Sequence, residues 1–291
     1  MEPRGQLDIS YHDLWFAART CLAGSSSTWA WRQQRDHHDA IGQAWKTSCD
    51  NTTSSSTDTR ASVMVGLSAR SLLDLFLLEK QYPAGSEIIL APGITVPGMV
   101  HVMHHHQLHI VSIDIPASSS NNSDNKNTAT STVVGVDVEA VRNAVSSQTV
   151  AILVTHAFGI LAASPADMKR LQDVCREHGL DLIEDCAETF TGGRPTPSLY
   201  ADLTLYSFGF IKTSTALGGG VAVSYHQPDL LASMQRIQTA VYTRQQTTWE
   251  YFRLVVTAVF VKLLCDTPHL YGLFYFLVVY VLGWDFDATV L

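Results

Sequence analysis

Charged residues are scarce in this sequence, at 16% of its 291 residues. Acidic residues outnumber basic residues by 27 to 19, which gives a formal net charge of −8. A protein that binds nucleic acid over a broad surface needs an excess of Lys and Arg on that surface. The charge balance therefore disfavours nucleic acid as a partner and favours a small molecule.

The sequence also has few cysteines and no long apolar run. Its five cysteines are an odd number without a Cys-x-x-Cys pair, so we expect free thiols in a reducing compartment, by default the cytoplasm. No secretory signal is recognisable at the N-terminus. Residues 254–264 and 273–282 are apolar, but neither run reaches the ~18 residues of a membrane span. We expect buried helices there, or a face in peripheral contact with a membrane or a partner.

Hydrophobic residues make up 46% of the chain, which is enough for a substantial core. Short apolar runs alternate with segments of helical periodicity, a pattern that predicts an α/β fold with a mostly parallel sheet. We expect a helical or irregular segment over 1–60, the main domain over 61–240 and an apolar helical segment over 241–291. Within these parts, 51–58 and 117–132 are rich in Ser, Thr and Asn and are predicted to be surface loops.

The clearest local signal is a strand, helix and strand in succession. Residues 150–154 are continuously apolar, as in a strand buried on both faces. Ser164 is a predicted N-cap, with Pro165 in the first helical position and Asp167 completing a capping-box pattern. Gly179 is the predicted helix stop. Four apolar positions between these signals share one helical face, which we expect to pack on the sheet: Met168, Leu171, Val174 and Cys175.

Polar side chains follow two predicted strands. The predicted strand that begins over 180–183 ends at Glu184 and Asp185, and Lys212 lies in a loop after the strand 203–207. Open α/β sheets bind ligands beyond the carboxyl ends of their parallel strands. Asp185 and Lys212 are therefore candidate functional residues. Gly218–Gly220 turns the chain into a further strand over 221–223.

Several ordered motifs resemble one enzyme family. The runs Ile183-Glu-Asp-Cys-Ala-Glu188 and Tyr206-Ser-Phe-Gly-Phe-Ile-Lys212 resemble segments of the DegT/StrS sugar-nucleotide aminotransferases, which are fold-type-I pyridoxal-phosphate (PLP) enzymes. The upstream His156-Ala-Phe-Gly159, and segments at 165–168, 85–92 and 111–114, match in the same order. The resemblance covers about residues 68–225. It implies the large domain of an aspartate-aminotransferase-type fold, with a mixed, mostly parallel sheet flanked by helices.

The resemblance implies two catalytic residues. Lys212 would form the Schiff base with PLP and then, as a free amine, move a proton between substrate and cofactor. Asp185 would hold the protonated pyridine nitrogen, on which the electron-sink chemistry of PLP depends. Ser207 would donate to the phosphate, together with the helix start after Ser68.

Other implied contacts depart from the family pattern. Arg70 replaces the usual threonine beside the phosphate and adds a fixed positive charge. Val96 replaces an aromatic side chain over the ring, and Glu188 stands where a glutamine usually meets the ring hydroxyl. His156 is matched as a cofactor contact, although a packed core histidine is an equal alternative. The implied cofactor-binding set is Ala69, Arg70, Ser71, Val96, His156, Asp185, Glu188, Ser207 and Lys212.

The resemblance implies an aminotransferase. It would move an amino group from glutamate or glutamine to a keto group, typically on a nucleotide-linked sugar, and would act as a homodimer. It also implies that a small C-terminal domain is missing or truncated here, which leaves a non-catalytic binding or regulatory protein as an alternative. A PLP-dependent sugar dehydratase is a second alternative, but such relatives carry histidine where this chain has Lys212.

Two other sequence features receive structural interpretations. His104, His105 and His106 are consecutive and cannot converge on one ion from a helix, so no metal site is predicted. Four aromatic residues near the N-terminus are expected to form intramolecular core: Trp15, Phe16, Trp29 and Trp31.

Overall fold

Seven apolar segments pair into one mixed sheet in the computed structural model, which describes residues 9–23, 39–49, 61–115, 135–190, 199–243 and 247–276. The predicted loops at 51–58 and 117–132, and both Trp29 and Trp31, lie outside the described residues. The strands are β1 Ser62–Gly66, β2 Glu87–Ala91, β3 His109–Ser112, β4 Thr149–Thr155, β5 Asp181–Asp185, β6 Leu203–Ser207 and β7 Gly220–Ser224.

The strand order is β1-β7-β6-β5-β4-β2-β3. Strands β3, β2, β4, β5 and β6 pair in parallel, whereas β7 runs antiparallel to both of its neighbours, β6 and β1. The carboxyl ends of the parallel strands and the amino end of β7 therefore meet at one edge of the sheet.

Helices cover both faces of this sheet. They are α1 Tyr11–Ala23, α2 39–49, α3 Ala69–Lys80, α4 Pro97–His105, α5 Val138–Ala144, α6 Pro165–His178, α7 Pro228–Val241, α8 Thr248–Asp266 and α9 Pro268–Phe276. One apolar core joins α3, α4 and α7 to one face of the sheet, and a second joins α5 and α6 to the other. The predicted α/β fold with a mostly parallel sheet is confirmed.

Helix α6 begins and ends where its predicted N-cap and its predicted stop lie in the sequence. The Ser164 hydroxyl accepts the backbone N–H of Asp167 at 3.1 Å, and the helix ends at Gly179 with φ of 68°. The four predicted apolar positions of this helix are buried against the sheet. The capping box is not reciprocal, however, because the Asp167 carboxylate accepts from the Ser164 hydroxyl at 2.7 Å rather than from its backbone N–H. An aspartate side chain is one methylene shorter than the glutamate of a full capping box.

The two ends of the described chain meet in a small helical layer. Helix α1 packs on α8, where Leu14 is buried with Val255 and Ala258. Trp15 and Phe16 are 66% and 65% exposed, so the expectation that they form core is wrong. They lie on the face of α1 that the buried Leu14 leaves free, because neighbouring residues of a helix point about 100° apart.

No single described helix combines the length and apolar composition of a membrane span. Helices α8 and α9 satisfy that test only when taken together, across a bend of 109°.

Candidate active site

The side chains of Thr155, Asp185 and Ser207 lie at the carboxyl ends of three neighbouring strands. Thr155 is in register with Asp185, and Ser207 follows two residues after the register partner of Asp185. Register partners in a sheet, and residues two apart along a strand, share one face. All three side chains therefore lie on the face of the sheet that α3 covers.

The Asp185 carboxylate is buried, with 4% of the residue exposed. Its Oδ1 accepts the backbone N–H of Ala187 at 3.0 Å. Burial raises the pKa of Asp185, while the hydrogen bond from Ala187 and the positive charge of Lys212 offset part of that rise. A buried carboxylate of this kind is suited to a cationic partner that would keep it ionised.

The loop from β6 to β7 places the Lys212 amine at the same edge. The backbone N–H of Lys212 donates to the Gly209 carbonyl at 3.0 Å, which fixes the turn that carries the lysine. The Thr215 hydroxyl donates to the same carbonyl at 2.7 Å. The Lys212 side chain is only 16% exposed, and its Nζ lies 2.9 Å from Oε1 of Glu188. The lysine thus points into the site rather than into solvent.

Glu188 uses its two carboxylate oxygens separately. Oε1 pairs with Lys212, and Oε2 accepts the backbone N–H of Phe158 at 2.6 Å. Partial burial acts to raise the pKa of Glu188, but the hydrogen bonds from Lys212 and Phe158 outweigh burial and lower the pKa. Glu188 is therefore held as a carboxylate between the lysine loop and the 3₁₀ turn Ala157–Gly159.

The start of α3 approaches the sheet closely because β7 begins with glycine. A Cβ on Gly220 would lie 2.6 Å from the carbonyl carbon of Ser68 and 2.7 Å from the nitrogen of Ala69. Ser68 and Ser71 cap the helix reciprocally, so the Ser71 hydroxyl is engaged within the chain. Within the described residues, the backbone N–H groups of Ala69 and Arg70 have no acceptor. The helix start therefore offers two free donors beside Ser207, which is in register with Gly220.

Arg70 and Val96 border this helix start. The Arg70 side chain is exposed and passes over α4, where a Cβ on Gly98 would lie 2.6 Å from its Cδ. Val96 is the N-cap residue of α4 and is exposed. Both side chains are therefore exposed near the starts of α3 and α4, and their predicted contacts with the phosphate and the ring stay predictions.

His156 is a buried structural residue in this arrangement. Its Nδ1 accepts the backbone N–H of Ala162 at 3.0 Å, so Nε2 carries the proton and donates to Glu184 at 3.0 Å. The second oxygen of Glu184 accepts from the Thr204 hydroxyl at 3.0 Å. Both nitrogens of His156 are thus occupied within the chain. A direct polar contact from His156 to a cofactor does not fit this geometry, and the alternative of a packed histidine does.

Cys186 lies beside the same pair. His156, Glu184 and Cys186 offer donor atoms within 4.8 Å of one another, a distance that would permit a metal ion. The proton on Nε2 of His156 occupies the position that such an ion would need. Burial also raises the pKa of Cys186 well above its ordinary value, which favours the thiol over the thiolate ligand. The hydrogen bonds from His156 and Thr204 to Glu184 join the ends of β4, β5 and β6, so this cluster has a structural role.

Sequence reasoning missed three features of the site. The close approach at Gly220 was assigned to a turn, although a glycine that opens a buried strand often marks a backbone contact. The clasp of His156 on Glu184 carried no recognisable sequence signal. Thr155 was passed over within its strand, and its buried hydroxyl has no hydrogen-bond partner among the described residues.

Part of the chain matches a known protein family. Residues 127–257 match the model of the DegT/DnrJ/EryC1/StrS aminotransferase family. The chain is related to this family. The matched region contains Asp185, Glu188, Ser207 and Lys212, and the family resemblance seen in the motifs is confirmed for this region.

Curated relatives match over shorter segments. GDP-perosamine synthase from Vibrio cholerae is 38% identical over 92 residues, which cover 31% of this chain and 24% of that protein. L-glutamine:scyllo-inosose aminotransferase from Streptomyces griseus is 41% identical over 92 residues, covering 31% and 20%. The match thus spans about a quarter or less of each relative.

Solved structures support the fold over a longer range. The sugar aminotransferase Spr1654 from Streptococcus pneumoniae, in its PLP form, aligns with a TM-score of 0.59 at 17% identity, covering 88% of this chain and 66% of that one. The aminotransferase from Psychrobacter cryohalolentis aligns with a TM-score of 0.58 at 17% identity, covering 91% and 65%. The fold that this chain shares with these structures therefore extends well beyond residues 127–257.

Proposed function

We propose that this chain forms the cofactor-binding part of a PLP-dependent aminotransferase. The observation that carries the proposal is the placement of the Lys212 amine and the buried Asp185 carboxylate at one sheet edge, beside the open start of α3. The lysine amine can react with an aldehyde, and the buried anion can pair with a protonated ring nitrogen. The backbone donors can bind a phosphate.

The residues present fit the phosphate and the ring nitrogen of this cofactor. The free N–H groups of Ala69 and Arg70, at the positive end of the α3 dipole, suit a phosphate. Gly220 provides the space for that approach, and the Ser207 hydroxyl stands next to it. Asp185 suits a protonated ring nitrogen, because a cation would relieve the cost of burying its charge.

Each of these residues has a defined task in amino-group transfer. Bound PLP supplies the electron sink that makes a proton on the amino-bearing carbon removable. Asp185 keeps the ring nitrogen protonated from within the buried sheet edge. Lys212 attaches the cofactor and, once released as an amine, carries the proton. Lys212 can do so only after it separates from Glu188, since an ammonium ion cannot accept a proton.

Absorbance spectroscopy with PLP tests the proposal directly. The wild-type protein should develop a near-visible band that borohydride abolishes, leaving the cofactor fixed on the peptide that contains Lys212. Lys212→Ala should give no fixed label. Lys169→Ala is the matched control, because Lys169 is exposed and pairs with the surface carboxylate of Asp173. No band in the wild-type protein at saturating PLP would contradict the proposed function.

We also propose glutamate or glutamine as the amino donor and a keto sugar as the acceptor, probed as nucleotide-linked sugars. Two relatives are named as L-glutamine:inosose aminotransferases, and a third as GDP-perosamine synthase. The test is a half-reaction in which single amino acids are added to the loaded protein. Glutamate or glutamine should discharge the near-visible band, and a keto sugar should restore it.

A homodimer is the proposed assembly. Large apolar side chains border the site and are exposed: Leu67, Val96, Phe158, Ile160, Leu161 and Ile211. Large apolar side chains that are exposed around a site are typical of a surface that a partner covers. We also propose a cytoplasmic location, because the five cysteines, which all lie in the described residues, form no disulfide with one another.

A further inference from the structure

Glu188 is the point at which two loops of the site are joined. One of its oxygens holds Nζ of Lys212 at 2.9 Å, and the other holds the backbone N–H of Phe158 at 2.6 Å. The lysine loop and the 3₁₀ turn are thus connected through a single side chain. No backbone hydrogen bond joins these two loops within the described residues.

The turn that Glu188 holds has an unusual backbone. Phe158 has φ of 57° and Gly159 has φ of 74°, and a positive φ is costly for a residue with a large side chain. Phe158 is 81% exposed at the mouth of the site. A conformation of this kind persists only where contacts hold it, and the carboxylate of Glu188 is the contact on its N–H.

We propose that Glu188 is a latch on Lys212, a positioning residue that holds the amine as a paired ammonium ion in the unloaded protein and delays its reaction with an aldehyde. The consequence for cofactor loading rests on the proposed role of Lys212. Two carboxylates face the lysine amine, Glu188 by direct contact and Asp185 by its charge. The neighbouring 3₁₀ turn offers Glu188 a backbone N–H and no further charge.

The chemistry of attachment explains why the pair opposes it. The lysine nitrogen must form a bond to the aldehyde carbon, and only the unprotonated amine has the electron pair to do so. Two of the three ammonium protons then leave with the carbonyl oxygen as water, and the third passes to solvent. The carboxylate of Glu188 stabilises the starting ammonium and loses its partner when the bond forms. Removing that carboxylate should therefore speed the reaction.

Amine labelling of the unloaded protein tests the latch without any cofactor. Wild type and Glu188→Gln are treated briefly with a low dose of acetic anhydride, and acetylation of each lysine is measured by mass spectrometry. Lys80, paired with Asp181 at the opposite edge of the sheet, is the internal reference. Labelling of Lys212 relative to Lys80 should rise about threefold to tenfold in Glu188→Gln, the range expected for a partly buried ion pair.

Asp173→Asn is the matched control. It removes a carboxylate 2.9 Å from the Nζ of Lys169, the same separation as in the Glu188 pair. This change should leave Lys212 labelling unaltered. Glu188→Ala provides a second variant, in which Lys212 labelling should rise as well. Unchanged or slower labelling of Lys212 in both Glu188 variants, with normal labelling of Lys80, would overturn the latch.

Cofactor loading separates this inference from the proposed function. In a stopped-flow experiment with PLP, Glu188→Gln should form the lysine-linked band faster than wild type, again by about threefold to tenfold. Faster labelling without any PLP band would contradict the aminotransferase proposal and leave the latch intact. A PLP band with identical rates and identical labelling in the two proteins would contradict the latch and leave the function intact.

Discussion

The burial of Asp185 has opposite consequences for stability and for binding. Burial raises the pKa of this carboxyl group, so its charge at neutral pH costs free energy in the folded protein. The stability that the protonated form contributes is complete below the unfolded pKa, near 3.8, and is lost as the pH rises through the higher folded value. The negative charge of Asp185 therefore lowers the stability of the unloaded protein at neutral pH.

Asp185→Asn should expose this conflict. Asparagine keeps an oxygen for the N–H of Ala187 and removes the charge, so the unloaded variant should melt roughly 2–4 °C higher at pH 7, the shift produced by about 1 kcal/mol in a domain of this size. The measurement is thermal unfolding of both proteins from pH 3 to pH 7. The difference should vanish at the acid end. A variant that melts lower than wild type at pH 7 would contradict this account.

The same variant should lose its affinity for PLP. The ring nitrogen would no longer face an anion, so affinity should fall by about tenfold or more, equivalent to about 1.4 kcal/mol. Fluorescence titration of the unloaded proteins with PLP measures this change. Equal affinity in Asp185→Asn and wild type would remove Asp185 from the cofactor site.

Individual site residues differed in how far the sequence could predict them. Asp185 and Lys212 each follow a strand that the apolar pattern reveals, and the order of motifs gave them roles. The pair between Glu188 and Lys212 could not be predicted, because it depends on how two loops 24 residues apart fold back on each other. For His156 the opposite holds. The motif identified the residue, but its role as a hydrogen-bond donor to Glu184 is visible only in the structure.

At the scale of elements, the close packing of α3 on β7 depends on a glycine, Gly220, which has no side chain at the contact. Gly220→Ala would place a methyl group within 2.7 Å of the backbone of Ser68 and Ala69. The start of α3 would have to move, at a cost of about 1–3 kcal/mol in the free energy of unfolding. Affinity for inorganic phosphate and for PLP should fall with it. Urea unfolding and ligand titration measure the two effects.

A neighbouring glycine provides the control for that experiment. Gly218 is exposed, has no positive φ, and an added Cβ would meet no atom within 4 Å. Gly218→Ala should therefore leave stability and phosphate binding close to wild type. If both alanine variants behaved alike, the close approach of α3 to β7 would not be what sets phosphate affinity.

The start of α6 supports a simpler prediction. The Ser164 hydroxyl accepts the N–H of Asp167, so Ser164→Ala should lower the free energy of unfolding by about 1 kcal/mol. Chemical denaturation measures the loss, and Ser164→Thr, which keeps the hydroxyl as acceptor for the N–H and donor to the Asp167 carboxylate, should keep most of the wild-type stability. An unchanged denaturation midpoint in Ser164→Ala would show that the cap contributes nothing to stability.

Elements with strong local signals were predicted well. The strand Leu203–Ser207 and the stop of α6 at Gly179 agree with the sequence reading, because apolar runs and glycine act locally. The layer of α1 on α8 was not predicted. Its contacts join residues more than 200 positions apart, and the apolar residues of α1 gave no indication of which face would be covered.

At the scale of the whole molecule, the exposed apolar border of the site predicts a dimer. Ile211 is 88% exposed next to the lysine, so Ile211→Lys should weaken association and shift the mass measured by light scattering toward the monomer. Val241→Lys changes an exposed apolar residue on α7 and is the matched control. Its mass should equal that of wild type. A monomeric wild-type protein, or equal masses in all three, would contradict the proposed dimer.

The antiparallel position of β7 also sets the order in which the chain can complete itself. Strand β1 pairs with β7, so Ser62 cannot pair in the sheet until its register partner Ser224, some 160 residues later, has been synthesised. Contacts of such long sequence separation form late, because closing the loop between the two strands costs entropy before their pairing can stabilise the fold. During synthesis, β1 and the start of α3 therefore leave the ribosome long before the strand that receives them. The anion site at Gly220 forms only when β7 pairs with β1 and β6, so a newly made chain should be unable to bind the phosphate group until β7 has been synthesised.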